Sequence, residues 1–240
     1  MTVTEFEERE ESVPLTKHYH LSHSFHNAVS LPAFLNDHSG DPAIKDFIPN
    51  LKDHLLARLR KLEYDGDKRI FTSDERHSVQ FVNLNHVSMP KQLQVNFTTY
   101  DIRCDKHTLR SGRGDTIMMY SREQGTDAHP FWYAQLIRAW VFRVYYEGVE
   151  HDMDVVWVRW LGVEPGYQWG IGKARLPKVG FIPDSESGAF GFVDPALVIR
   201  ACHLIPVFTE GRTDSLLRRG PSLARPNDEV DDWASYYVNM

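Results

Sequence analysis

The sequence predicts a mainly β protein of the β-rich α+β class. Its centre is an antiparallel barrel or meander, with one amphipathic helix docked ahead of it and a short helix at the C-terminal end. Three observations predict this. Short apolar runs with period-two alternation succeed one another between residues 77 and 208, separated by turns rich in Gly, Pro, Asp and Asn. No helical pattern alternates with those runs, which argues against a parallel sheet. The stretch from Gly114 to Glu164 carries three strand-like apolar runs and four of the six tryptophans, more ring surface than one solvated sheet face would hold.

Four segments follow from this reading. Residues 1–43 read as a flexible tail, with an acidic block (Glu5, Glu7, Glu8, Glu10, Glu11) and scattered histidines (His18, His20, His23, His26) but little periodic apolar content. Residues 44–76 hold the helix and a connector. Asn50 is placed to cap, Leu51, Leu55, Leu56, Leu59 and Leu62 form a stripe, and Lys52, Asp53, Arg58, Arg60 and Lys61 take the other face. Pro49 is expected to stop the helix upstream. Thr72-Ser73-Asp74-Glu75 has the form of a capping box.

Residues 77–208 form the β domain. Strands are expected at Val79–Leu84, Leu93–Tyr100, Thr116–Tyr120, Phe131–Tyr146, Val155–Trp160 and Val198–Ile205, with short edges at Phe181-Ile182 and Phe190–Phe192. Leu93, Val95 and Phe97 share one face by alternation. Trp132, Leu136, Trp140 and Phe142 do the same on the long strand. Asp101–Arg113 reads as a polar loop. Residues 209–240 read as a basic loop followed by a helix, with Trp233, Tyr236 and Tyr237 along one side.

Bulk properties narrow the function. A net charge of −6 argues against a dominant polyanion-binding surface, although a local basic patch from Lys173, Arg175, Lys178, Arg212, Arg218 and Arg219 remains open. Two cysteines, Cys104 and Cys202, make no disulfide framework. No secretory signal and no window of about 20 apolar residues is present, so a nuclear or cytoplasmic chain without membrane insertion is expected. No nucleophile elbow, Walker loop, His-Glu-x-x-His or Cys-x-x-Cys is legible, and Gly170-Ile171-Gly172-Lys173 lacks the glycine spacing of a phosphate loop. Cys104 with His107 and Cys202 with His203 fail as a zinc site, because neighbours on a strand face opposite ways. No catalytic residue, metal or cofactor is expected. The aromatic rings remain as candidate ligand contacts, two or three of them able to enclose a cation.

Two resemblances rest on these residues. Gly114-Asp115 before an apolar strand, Trp132-Tyr133-Ala134-Gln135-Leu136-Ile137, and Val156-Trp157-Val158-Arg159-Trp160 with Glu164 behind resemble the bromo-adjacent homology (BAH) domain over residues 90–207. "NFTTYDIRCD", "HPFWYAQLIRAWV", "VVWVRWLGVEPG", "GFVDPALVIRACHLIPVF" and "EVDDWASYYVN" are together similar to the C-terminal region of proteins encoded by fungal Plavaka-type transposons, over residues 44–240. The first resemblance implies a β module that binds chromatin proteins, in some members by caging methyl-lysine. Trp132, Trp160 and Tyr167 are then the cage positions. The second implies a mobile-element origin and partners in chromatin or the transposition machinery. The expectation is a non-catalytic interaction module. Direct nucleic-acid binding through the basic residues is the alternative, and a decayed fragment without activity a further one.

Overall fold

The computed structural model describes residues 18–22, 28–98, 104–125, 128–226 and 229–239. It is mainly β, with antiparallel pairing throughout. The acidic block and His23 and His26 lie outside the described residues.

The N-terminal part departs from a tail wherever it is described. Tyr19–Leu21 is a strand (β1) and Ala28–Val29 another (β2), and Leu31–Asp37 is a helix (α1) capped by Ser30 with Leu31 fully buried. The main helix, α2 (Phe47–Leu59), begins ahead of Asn50. Pro49 does not stop it, because it sits in the first turn, where the backbone amide has no intrahelical partner to lose. Leu51, Leu55 and Leu56 are buried, while Leu62 lies past the helix end and is exposed. Asp53 is not on a solvated face. It is buried and accepts from Arg76 Nε and Nη2 at 2.7 and 2.5 Å. Arg76 is carried by α3 (Ser73–His77), whose N-terminus has the full reciprocal capping box of Thr72 and Glu75.

The strands follow as β3 (Gln80–Phe81), β4 (Val87–Ser88), β5 (Gln92–Thr98), β6 (Cys104–Arg110), β7 (Thr116–Tyr120), β8 (Phe131–Tyr146), β9 (Val149–Val163), β10 (Lys178–Phe181), β11 (Phe190–Val193), β12 (Val198–Pro206), β13 (Arg212–Thr213), β14 (Asp232–Trp233) and β15 (Tyr236–Asn239). Two corrections stand out. The expected polar loop at Asp101–Arg113 contains β6, which pairs with β5 along its whole length. The expected C-terminal helix is instead β14 and β15, with Tyr236 and Val238 buried in alternation. Rings at i, i+3 and i+4 imitate a helical stripe, but pairing with β10 and β12 takes the segment.

Six strands pair in succession: β7 with β8, β8 with β9, β9 with β10, β10 with β15, β15 with β12, and β12 with β7. One buried cluster draws on all six, through Met118, Tyr133, Leu161, Val179, Cys202 and Tyr236 among others. A second cluster joins the outer face of β7, β8 and β9 to the small sheet β1-β5-β6. A third packs α1 and α2 on the far halves of β8 and β9, around Trp140 and Trp157.

The long strand β8 does not keep one face. Its register against β9 shifts between Leu136 and Arg138. Trp132 and Leu136 therefore join one cluster while Trp140 and Phe142 join another. A bulge of this kind turns every later side chain to the other side of the sheet.

Candidate functional site

The open end of the β8–β9 pair carries a pocket of about 1000 Å³. Trp132 stands at the start of β8, Trp160 near the end of β9, and the loop leaving β9 supplies Tyr167 and Trp169. All four line this one pocket. Pairing of Ala134 with Trp160 brings the two strand ends side by side, and the Trp132 and Trp160 rings meet edge to face at 6.1 Å and 77°. Edge-to-face contact is the arrangement that the ring quadrupoles favour. Tyr64 adds a third ring, 6.2 Å from Trp132.

Local structure holds these rings in place. The turn after α2 is tied to β11 by Tyr64, whose hydroxyl donates to the Phe192 carbonyl at 2.8 Å, and by Asp67, which accepts from the Phe192 amide at 2.6 Å. His54 Nδ1 donates to the other Asp67 oxygen at 2.9 Å. The turn thereby sets Gly66 (φ +80°) under the Trp132 ring, 3.6 Å from where a Cβ would stand. Trp160, only 8% exposed, forms a wall rather than a projecting ring. Its indole lies so close over Gly191 that a Cβ there would fall 2.5 Å from Nε1. Both glycines are needed where they stand, one for its backbone angle and one for its missing side chain.

The polar groups are few. Glu123 accepts from Trp132 Nε1 at 3.2 Å, and Glu164 sits on the rim. Lys68 and Lys173 line the wall as well, so the formal charges balance. His129 is buried, its ring 4.4 Å from that of Trp169. Its Nδ1 lies 2.8 Å from the Phe131 carbonyl and 3.1 Å from the Phe131 amide, while Nε2 is buried with no partner among the described residues. Burial pushes the His129 imidazole below its ordinary value, so the ring is neutral at pH 7. Arg175 lies 5.9 Å over the Tyr167 ring.

The three cage positions read from the sequence are thus brought to one pocket. Trp169, Glu123 and His129 also line it, and the sequence does not single them out. They belong to irregular segments, where no periodic signal marks a side chain as facing a ligand.

The six basic candidates are not brought together in the same way. Lys173 lines the aromatic pocket and Arg175 covers Tyr167. Lys178 pairs with Glu210 at 2.5 Å, Arg212 with Glu229 at 3.5 Å, and Arg219 with Asp231 at 3.4 Å. Arg218 donates to the Gly40 carbonyl.

Neither Cys202 nor its neighbour His203 lines this pocket, and nor does His107. Cys202 is buried, and burial pushes its thiol up to about 12, while its neighbour His203 is exposed on the opposite face. Among the described residues no three His, Cys, Asp or Glu side chains converge on a metal-sized site. No helix among them is long and apolar enough to cross a membrane.

Comparison of the chain with protein-family models, with curated proteins and with solved structures finds no match.

Proposed function

We propose that this chain is a non-catalytic interaction module that binds a protein ligand through the aromatic pocket, with the alkylated ammonium of a lysine as the group the rings receive. One observation carries the reading: Trp132, Trp160, Tyr167 and Trp169, from two strands and a loop, line a single open pocket. Ring faces stabilise a desolvated cation by about 0.5–2 kcal/mol each, and methylation weakens the hydration that a bare ammonium would lose. Glu123 and Glu164 offset the charges of Lys68 and Lys173 in the same wall, so the rings rather than a net charge are what receive the cation. The described wall contains no serine, threonine or cysteine, which suits recognition better than nucleophilic chemistry.

The finer fold reading is BAH-like, with a closed small barrel. It is supported by the six successive pairings that return from β12 to β7 and by the cluster they share. The resemblance of residues 44–240 to Plavaka-type transposon proteins supports a mobile-element setting, with chromatin protein as the partner and the element's own transposition machinery as the other source of the same ligand chemistry. The nucleic-acid reading has less to draw on, because Lys178, Arg212 and Arg219 are each already paired with a carboxylate.

The test is an array of histone-tail peptides with unmodified, mono-, di- and trimethylated lysines, probed with wild type and Trp132→Ala. Trp132 is the better substitution than Trp160, which is part of a buried cluster. Methylation-dependent binding that falls about tenfold in Trp132→Ala is the expected result. Binding indifferent to methylation, or untouched by the substitution, contradicts the proposal.

A further inference from the structure

A second cavity, of about 620 Å³, adjoins the aromatic pocket. Its walls come from β5 (Asn96, Phe97, Thr98), from Tyr120 of β7, and from Ile199 and Arg200 of β12. Phe131 lines both cavities and is the divide between them. Tyr120, 64% exposed, packs its ring 5.8 Å from Phe131 on that divide.

The first cavity carries two formal charges of each sign, whereas the second carries the Arg200 guanidinium and no carboxylate. Consecutive strand residues ordinarily face opposite ways, yet Ile199 and Arg200 both wall it. The cause is a register shift between Val198 and Arg200 in the pairing with β7, a bulge that re-aims the arginine. The Arg200 guanidinium lies 5.7 Å over the Phe97 ring, and its Nε is buried without a hydrogen-bond partner among the described residues. Arg200 as a whole is half-buried, but an unmatched buried Nε–H is costly unless an acceptor reaches it. The described wall holds no carboxylate to do so.

We infer that the two cavities form one bipartite site for a peptide carrying an alkylated lysine and, close by, a phosphorylated serine or threonine. The ammonium enters among the tryptophans, the chain crosses Phe131 and Tyr120, and the phosphate meets Arg200. A phosphate fits better than a side-chain carboxylate, because its three oxygens can take the Arg200 Nε, a second guanidinium N–H and the Tyr120 hydroxyl together. The inference rests on the methyl-lysine reading of the first pocket, and its test separates the two.

Binding of fluorescent peptides is measured for wild type and Arg200→Gln. The peptides are unmodified, trimethylated on lysine, or trimethylated with phosphoserine placed in turn about one to about four residues either side, the reach of an extended chain at about 3.3 Å per residue. A matching set carries glutamate in place of phosphoserine. At one spacing the doubly modified peptide should bind at least about tenfold tighter than the trimethylated one, as one good charge-assisted contact provides. Arg200→Gln should erase that gain while leaving trimethyl-lysine binding unchanged, and inorganic phosphate should compete the gain away in wild type. If no methylated peptide binds, the first pocket's reading fails and this inference with it. If the trimethylated peptide binds but phosphoserine adds nothing at any spacing, or Arg200→Gln keeps the gain, only the second subsite is overturned. A gain equalled by glutamate overturns the assignment to phosphate.

Discussion

The two halves of the β8–β9 pair carry the same kind of residue to opposite ends. In one half, Trp140 and Trp157 are essentially inaccessible under α2, where Phe47 meets the Trp157 ring edge to face at 5.0 Å. In the other half, Trp132 and Trp160 meet each other edge to face, but no helix covers them and they wall an open pocket. The bulge between Leu136 and Arg138 lies between the two halves. Neither the residue type nor the strand decides whether a ring is sealed in the core or left lining a pocket. What decides it is whether another element packs over that part of the sheet, and the covering helix spans only one end.

Paired truncations should separate the two halves most strongly. Trp157→Ala should cost about 3–5 kcal/mol of unfolding free energy, as loss of a buried large ring does. Trp132→Ala should cost about 1 kcal/mol and instead weaken methyl-lysine binding about tenfold. Urea titrations of both variants read the contrast directly, and equal costs would break it.

Arg159 stands on β9 between the two halves. It donates to both Asp232 oxygens, at 2.9 and 2.8 Å, and Arg225 Nε donates to the same carboxylate at 3.1 Å. All three side chains are almost wholly buried. Asp232→Ala leaves two guanidiniums uncompensated and should cost about 3–5 kcal/mol, again by urea titration.

The same carboxylate predicts a pH effect. Burial alone would raise its pKa, but the hydrogen bonds from Arg159 and Arg225 outweigh this and hold it below the usual value. The folded state therefore binds this proton less readily than the unfolded chain, whose aspartates titrate near ~3.9. The contribution is present above that value and is lost as pH falls through the lower folded pKa. Urea midpoints should drop on acidification below about pH 4, and Asp232→Asn should flatten the drop. A mutant with an unchanged acid limb would count against the assignment.

The smallest expected effect lies at the covered end. Thr72→Ala removes one side of the capping box on α3, which braces α2 through Arg76 and Asp53. It should cost about 1 kcal/mol and leave ligand binding alone. A loss of binding there would mean the two halves are coupled.

Much of this arrangement was legible locally. The capping box, the buried Leu51, Leu55 and Leu56, and the buried Leu93 and Val95 follow from spacing alone, whereas Gln94 between them is buried too and Phe97 only half-buried. The errors share a cause, which is pairing at a distance. β6 reads as a loop because an edge strand is polar, and Asp105, Lys106 and Arg110 are all exposed. The C-terminal strands read as a helix because their pinning to Arg159 spans 73 residues of sequence. The single face expected for Trp132, Leu136, Trp140 and Phe142 failed on a bulge that only the partner strand reveals. For the candidate site, motif order points to Trp132, Trp160 and Tyr167. Trp169, His129 and Arg200 needed the third dimension, because loops and bulges carry no periodicity.

The most direct measurement follows the indole Nε1–H resonances of the six tryptophans while a trimethyl-lysine peptide is titrated in. The signals of Trp132, Trp160 and Trp169 should move together and saturate, while those of Trp140, Trp157 and Trp233 stay in place. Shifts centred on Trp140 and Trp157, or no shift at saturating peptide, would contradict the account.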